Sequence, residues 1–136
     1  MTACVVDSSA AFKWFVREPG SDEMAGLLRR HRDGETTLLA PALLRIELAN
    51  ALRYGGLDAA DLRHAMVALA GMRLEIVEAD DSLLAEACVL ALEHALPVYA
   101  ALFLALAVAR DCPLVTADRK AFARIPIGVC EVRLVG

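Results

Sequence analysis

Short apolar runs alternate with longer stretches of helical periodicity from one end of the chain to the other. Ala3–Val6, Thr37–Ala40, Leu74–Val77, Pro113–Thr116 and Val129–Leu134 read as strands. The first run breaks at Asp7-Ser8-Ser9, whose hydroxyls suit a helix N-cap, and the helix that follows carries Phe12, Trp14 and Phe15 and stops before Pro19-Gly20. Asp22 to Arg32 is a second helix, with Met24, Leu27 and Leu28 inward. Pro41 suits the first turn of a third, which runs to Tyr54 and breaks at Gly55-Gly56. Asp58-Ala59-Ala60-Asp61 resembles a capping box ahead of a helix whose Leu62, Ala65, Met66 and Leu69 share a face. Further helices run from Asp80 to His94 and from Tyr99 to Arg110. Strands alternating with helices predict an α/β fold, with a central, mainly parallel five-stranded sheet covered by helices on both faces. The length of 136 residues suits one domain over 1–136.

The apolar content of 58% and mean hydropathy of +0.51 exceed what a small core needs, so an Ala- and Leu-rich helical interior or a covered surface is expected. The uncharged run from Ala95 to Ala109 contains Pro97, is too short to cross a bilayer and reads as a buried helix. The start Met1-Thr2-Ala3-Cys4 has neither the basic region nor the long apolar stretch of a signal peptide. Cys4, Cys88, Cys112 and Cys130 are scattered with no CxxC pair, and His31, His64 and His94 show no ligand spacing. These features predict reduced thiols in a cytoplasmic protein rather than a zinc site. The net charge of −4 is unlike that of a protein that holds nucleic acid mainly by neutralising phosphates. Action on nucleic acid would require a bound metal and a local basic patch.

Three acids stand out by position. Asp7 ends the first apolar strand, Glu47 interrupts the largely apolar helix Leu43–Leu52, and Asp118 follows the strand Leu114-Val115-Thr116. In parallel α/β folds, sites form beyond the carboxyl ends of the strands. Simpler roles are open to each: Asp7 as a cap, Glu47 as a partner of Arg45 or Arg53, Asp118 as a turn residue. Carboxylates gathered near apolar segments repel one another unless a cation is present, and Mg²⁺ favours such oxygen ligands.

Val5-Val6-Asp7-Ser8-Ser9, the segment from Pro41 through Glu47 to Leu52, Leu96-Pro97-Val98-Tyr99 and Thr116-Ala117-Asp118-Arg119 together resemble, in order and spacing, the motifs of VapC-like PIN domains. The resemblance covers essentially the whole chain. It implies a three-layer PIN fold and a type II toxin that cuts RNA. Asp7, Glu47 and Asp118 would then hold Mg²⁺ or Mn²⁺, and the products would carry 5′-phosphate and 3′-hydroxyl ends. It also implies a cognate antitoxin, an RNA substrate and a homodimer. Thr116 and either Ser8 or Ser9 would orient the ligands through hydrogen bonds or serve only as cap and turn residues, and Asn50, one helical turn after Glu47, shares its face. Lys13, Arg17, Arg45, Arg119 and Lys120 are candidates for phosphate contacts, whereas Trp14 suits the core.

One position departs from the family pattern. Where the family has an aspartate between Tyr99 and Ala101, this chain has Ala100. Gradual decay would erode several positions, so an introduced Asp→Ala exchange in an otherwise complete nuclease is favoured, leaving the chain inactive or nearly so. The alternative is a naturally non-catalytic PIN module that binds RNA or an antitoxin. An aspartyl phosphatase fits worse, since it would want a second Asp where Ser9 stands. A receiver domain also fits worse, since Glu78-Ala79-Asp80 supplies its phosphoacceptor only loosely.

Overall fold

The structure, a computed structural model, describes residues 2–136. Five strands form one sheet in the order β3-β2-β1-β4-β5: β1 (Thr2–Val6), β2 (Thr36–Pro41), β3 (Glu75–Val77), β4 (Leu114–Thr116) and β5 (Val132–Leu134). Every pairing is parallel. The central strand β1 is apolar on both faces, as a parallel strand covered from both sides must be, and Cys4, Val5 and Val6 are buried.

Among the described residues seven α-helices surround the sheet: α1 (Ser8–Ala11), α2 (Ser21–Arg32), α3 (Leu43–Tyr54), α4 (Ala59–Gly71), α5 (Asp81–His94), α6 (Val98–Ala109) and α7 (Arg119–Phe122). In α3, Leu44, Leu48 and Leu52 recur one turn apart, so one apolar ridge is buried along the helix. Helix α6 is apolar all round and is the predicted buried helix. It packs against β1, β2, β4 and α5, with Ala101 to Ala107 buried continuously. Among the described residues no single helix is long and apolar enough to cross a membrane; α5 and α6 together would be, but they are bent by 111°.

Several local outcomes differ from the sequence expectations. Pro41 ends β2 opposite Val77 rather than opening α3. Proline has no N–H, but at the last strand position the next residue supplies the bond, Ala42 N donating to Val77 O at 2.9 Å. The first helix lasts only four residues before tightening into a 3₁₀ turn, Phe12–Trp14. There the Trp14 indole N–H donates to Met24 O at 2.8 Å and ties the turn to α2. Strand β5 starts three residues later than expected because Val129 N and Cys130 N turn back to Pro126 O. Helix α5 ends on Ala95 in the left-handed conformation (φ 55), which directs the chain through Leu96-Pro97 into α6.

Candidate active site

Because β1 lies between β2 and β4, the residue after it emerges at the carboxyl edge of the sheet, flanked by the ends of its neighbours. That residue is Asp7, and it is only 5% exposed. Its Oδ1 accepts from Ser9 Oγ at 2.7 Å and from Ala10 N at 3.0 Å, the latter capping α1. Its Oδ2 accepts from the Thr116 hydroxyl in a short bond. Asp7 therefore does serve as a helix cap, and the cap is one part of a larger network.

Each hydroxyl has one hydrogen to give. With Asp7 ionised, those of Ser9 and Thr116 both go to its carboxylate. The hydroxyl oxygens accept in turn, Ser9 Oγ from Ala117 N at 2.9 Å and Thr116 Oγ1 from Asp118 N at 3.0 Å. Two relays thus run from the backbone after β4, through a hydroxyl, to the carboxylate after β1. The 3.2 Å separation of the two hydroxyls is a contact between groups whose hydrogens are already committed.

Glu47, on the partly exposed side of α3, accepts from Ser8 Oγ at 3.2 Å. It forms no ion pair with Arg45 or Arg53; Arg53 instead lies 4.5 Å from the Tyr54 ring centre. Asp118 is exposed and caps α7 through Ala121 N at 3.0 Å. Burial pushes the Asp7 carboxyl above its ordinary value of 3.8, opposed by the bonds from Thr116, Ser9 and Ala10 and reinforced by Asp118. Burial also raises Glu47, with its Ser8 bond opposing and Asp7 reinforcing. Asp7 is therefore within electrostatic reach of both other acids, which repel it.

Asp118 lies in an open groove of about 1070 Å³ between α7 and the α5–α6 corner, together with Ala100 and Tyr99. Asp7 and Glu47 are not among the residues that line this groove. Oxygen-only donors suit a hard divalent cation. Among the described residues, however, no group of three or more His, Cys, Asp and Glu side chains is placed to hold a metal ion. The donor chemistry fits such a cation, but the donor number falls short, and the half-buried methyl of Ala100 stands on the same groove as Asp118.

Of the basic candidates, Lys13 is buried against Glu18 at 2.8 Å and Arg17 is paired with Asp22 at 2.7 Å. Arg45 lines a separate hollow with Ile46 and Glu78. Of these candidates only Arg119 and Lys120 line the groove, joined by Arg124, which carries no local sequence signal. The short helix α7 that carries this side of the groove has too few residues to show periodicity. The usable signal is Asp118 itself, an N-cap residue two positions beyond the end of β4. Asn50 is exposed and makes no hydrogen bond among the described residues.

The comparisons with known proteins agree with this architecture. The chain is similar in fold to VapBC2 from Rickettsia felis bound to a DNA fragment from its promoter, with TM-score 0.71, 17% identity, and 97% of this chain and 98% of that one covered. It is similar to DNA-bound VapBC from Salmonella typhimurium, with TM-score 0.69, 18% identity and 98% of each chain covered. It is also similar to a toxin–antitoxin complex from Klebsiella pneumoniae, with TM-score 0.70, 18% identity, and 90% of this chain and 92% of that one covered. No curated protein matches it by sequence. The family model of the PIN domain matches residues 4–128, which include the end of β1 with Asp7, α3 with Glu47 and β4 with Asp118. With an all-parallel sheet of the expected kind and a match over nearly its full length, this chain belongs to the PIN-domain family.

Proposed function

We propose that the chain is a VapC-type endoribonuclease toxin dependent on Mg²⁺ or Mn²⁺, silent as it stands because Ala100 replaces a metal-ligating aspartate. The observation that carries this is the buried Asp7 carboxylate, held by Ser9, Thr116 and Ala10 at the carboxyl edge of the sheet and repelled by Asp118. A buried carboxylate raised by desolvation and a like charge is the pattern of a site awaiting a cation. PIN domains are generally nucleases, which supports the class of chemistry.

Asp7, Glu47 and Asp118, completed by an aspartate at position 100, would hold the metal. Bound there, it would activate water and stabilise charge on a phosphodiester. The chain's own residues prepare the site. Ser9 and Thr116 fix both oxygens of Asp7, Ser8 restrains Glu47, and Asp118 is anchored by its cap to α7. Loss of a metal-orienting partner typically costs about 10–100-fold in affinity or activity, and loss of a ligand at least as much.

The same reading gives the chain a cognate antitoxin, in line with the toxin–antitoxin complexes it resembles. It also includes a homodimer, supported by the exposed Leu84, Val89 and Leu92 along one side of α5, and a cytoplasmic setting, which suits four free thiols. A second reading, a PIN module that binds without cutting, is favoured by Ala100 and by the lack of three gathered metal-type ligands among the described residues. Cleavage of an RNA panel by the chain and by Ala100→Asp, with Mg²⁺, Mn²⁺ or EDTA, separates the two. Metal-dependent cutting by the Ala100→Asp protein alone supports the silenced nuclease. Two folded proteins that both fail to cut support the binding module.

A further inference from the structure

The groove beside Asp118 is charged asymmetrically. Its α7 side carries Arg119 and Lys120, with Arg124 just beyond the helix, while the α5–α6 corner contributes Glu93, His94 and Tyr99. The three cations are exposed, and among the described residues none has an ion-pair or hydrogen-bond partner. Elsewhere Lys13, Arg17, Arg110 and Arg133 each meet a carboxylate within 3.0 Å, whereas Arg29, Arg30 and Arg32 on α2 are also without an ion pair among the described residues. Like charges gathered without direct ion-pair partners repel one another, and this arrangement is relieved by an external polyanion. Tyr99 lines the same groove and is 58% exposed, so much of the aromatic side chain is open to solvent.

We propose that Arg119, Lys120 and Arg124 form a phosphate track for single-stranded RNA, with Tyr99 stacking on an unpaired base, so that the strand passes Asp118 and position 100. The proposal rests on the endoribonuclease reading and names how its substrate is held. Cations that follow a backbone, together with an aromatic platform, are the recurring means of binding single strands, because only unpaired bases offer their faces. The net charge of −4 disfavours a polyanion on average, so attraction must come from a local basic cluster, and this one lies beside Asp118. Of the two acids in the groove, Glu93 lies at the end of α5 and Asp118 belongs to the proposed metal site.

The test is fluorescence anisotropy with labelled single-stranded RNA, single-stranded DNA and duplex RNA, using the chain as it stands in EDTA so that binding is read without cutting. Arg119→Gln/Lys120→Gln/Arg124→Gln is expected to weaken RNA binding at least tenfold at low salt. It should also lower the slope of log Kd against log salt by about two, at ~0.7 per phosphate contact on a single strand. Tyr99→Ala should weaken binding about five-fold or more while leaving that slope unchanged. Arg29→Gln/Arg30→Gln/Arg32→Gln removes equal charge from exposed positions on α2 and should match the parent. The proposal is overturned if the groove variant binds like the parent or the α2 variant weakens equally. It is also overturned if DNA or duplex binds as tightly as single-stranded RNA, or if polyglutamate displaces RNA at equal charge concentration, which would mark an acidic protein partner. Cleavage separates the two ideas. An Ala100→Asp protein that cuts with unchanged kcat/KM after the groove changes keeps the nuclease and removes the track; one that binds through the track yet never cuts does the reverse.

Discussion

Replacing Thr116 with Val keeps shape and burial but deletes one hydroxyl, and its consequences can be worked from the geometry. Thr116 is 0% exposed, so no solvent enters to compensate. The change removes the donor to Asp7 Oδ2 and the acceptor of Asp118 N. A hydrogen bond to a charged group is worth about 1.5–3 kcal/mol, and a buried orphan costs about 1–3 kcal/mol more. Because Asp118 is exposed and water can reach its surroundings, a total of about 2–4 kcal/mol is expected at neutral pH. At about 3–5 °C per kcal/mol for a chain of this size, the Tm should fall by roughly 6–20 °C.

The loss should also depend on pH. The Thr116 bond holds the Asp7 carboxyl down against burial, so the variant raises it further. A group whose folded-state value lies above its unfolded value penalises the fold above that value and not below the unfolded one. The gap between parent and variant should therefore shrink as the pH falls toward 3.8, where Asp7 becomes protonated in both states. Ser9→Ala is the comparison, since Oδ1 keeps the bond from Ala10 N, and it should cost less than Thr116→Val. Thermal unfolding across pH with circular dichroism reads all of this. A Thr116→Val protein within 0.5 kcal/mol of the parent at pH 7, or a gap that widens on acidification, would refute the account of Asp7 as a hydroxyl-anchored carboxylate.

Glu47→Gln should stabilise the protein at neutral pH, because the raised Glu47 carboxyl is burdened by burial and by Asp7; the gain should vanish below the ordinary value of 4.5, measured by unfolding at both ends of the range. Ala95→Gly should stabilise by about 0.5–1 kcal/mol by relieving the left-handed conformation at the end of α5, seen as a higher urea midpoint with an unchanged slope. Leu48→Ala should cost about 2–5 kcal/mol, since Leu48 is fully buried at the middle of the α3 ridge, and chemical denaturation measures it. Toward a thiol reagent the exposed Cys88 should react first, while Cys4, 2% exposed and with its thiol pushed up to about 11 by burial, should react only on unfolding.

The alternation of strands and helices was legible because each β run is apolar without a helical period and each helix carries a repeating ridge such as Leu44-Leu48-Leu52. The burial of α6 could be read from its lack of any polar face. Asp7 and Asp118 stand out because each lies just beyond an apolar strand, where a carboxylate has no apolar packing to make. What the sequence could not show was pairing over distance. That Ser9 and Thr116 converge on one carboxylate depends on β1 and β4 being neighbours, a tertiary fact with no local signal. The role of Pro41 was misjudged because a missing N–H suits both a helix start and a strand end, and only the bond from Ala42 to Val77 decides between them. Helix α7, with four residues, is stabilised by the Asp118 cap rather than by an amphipathic period, so the groove it builds and the place of Arg124 in it stayed hidden.

The central claim is that Asp7, Glu47 and Asp118 form one hard-cation site short of a single ligand. Mn²⁺ binding followed by electron paramagnetic resonance tests it most directly, on the chain as it stands, on Ala100→Asp, and on Ala100→Asp with Asp7→Asn. Weak or absent binding by the first, binding at least about ten-fold tighter by the second and loss again in the third is the expected result. Equal affinity in all three, or none in any folded protein, would contradict it.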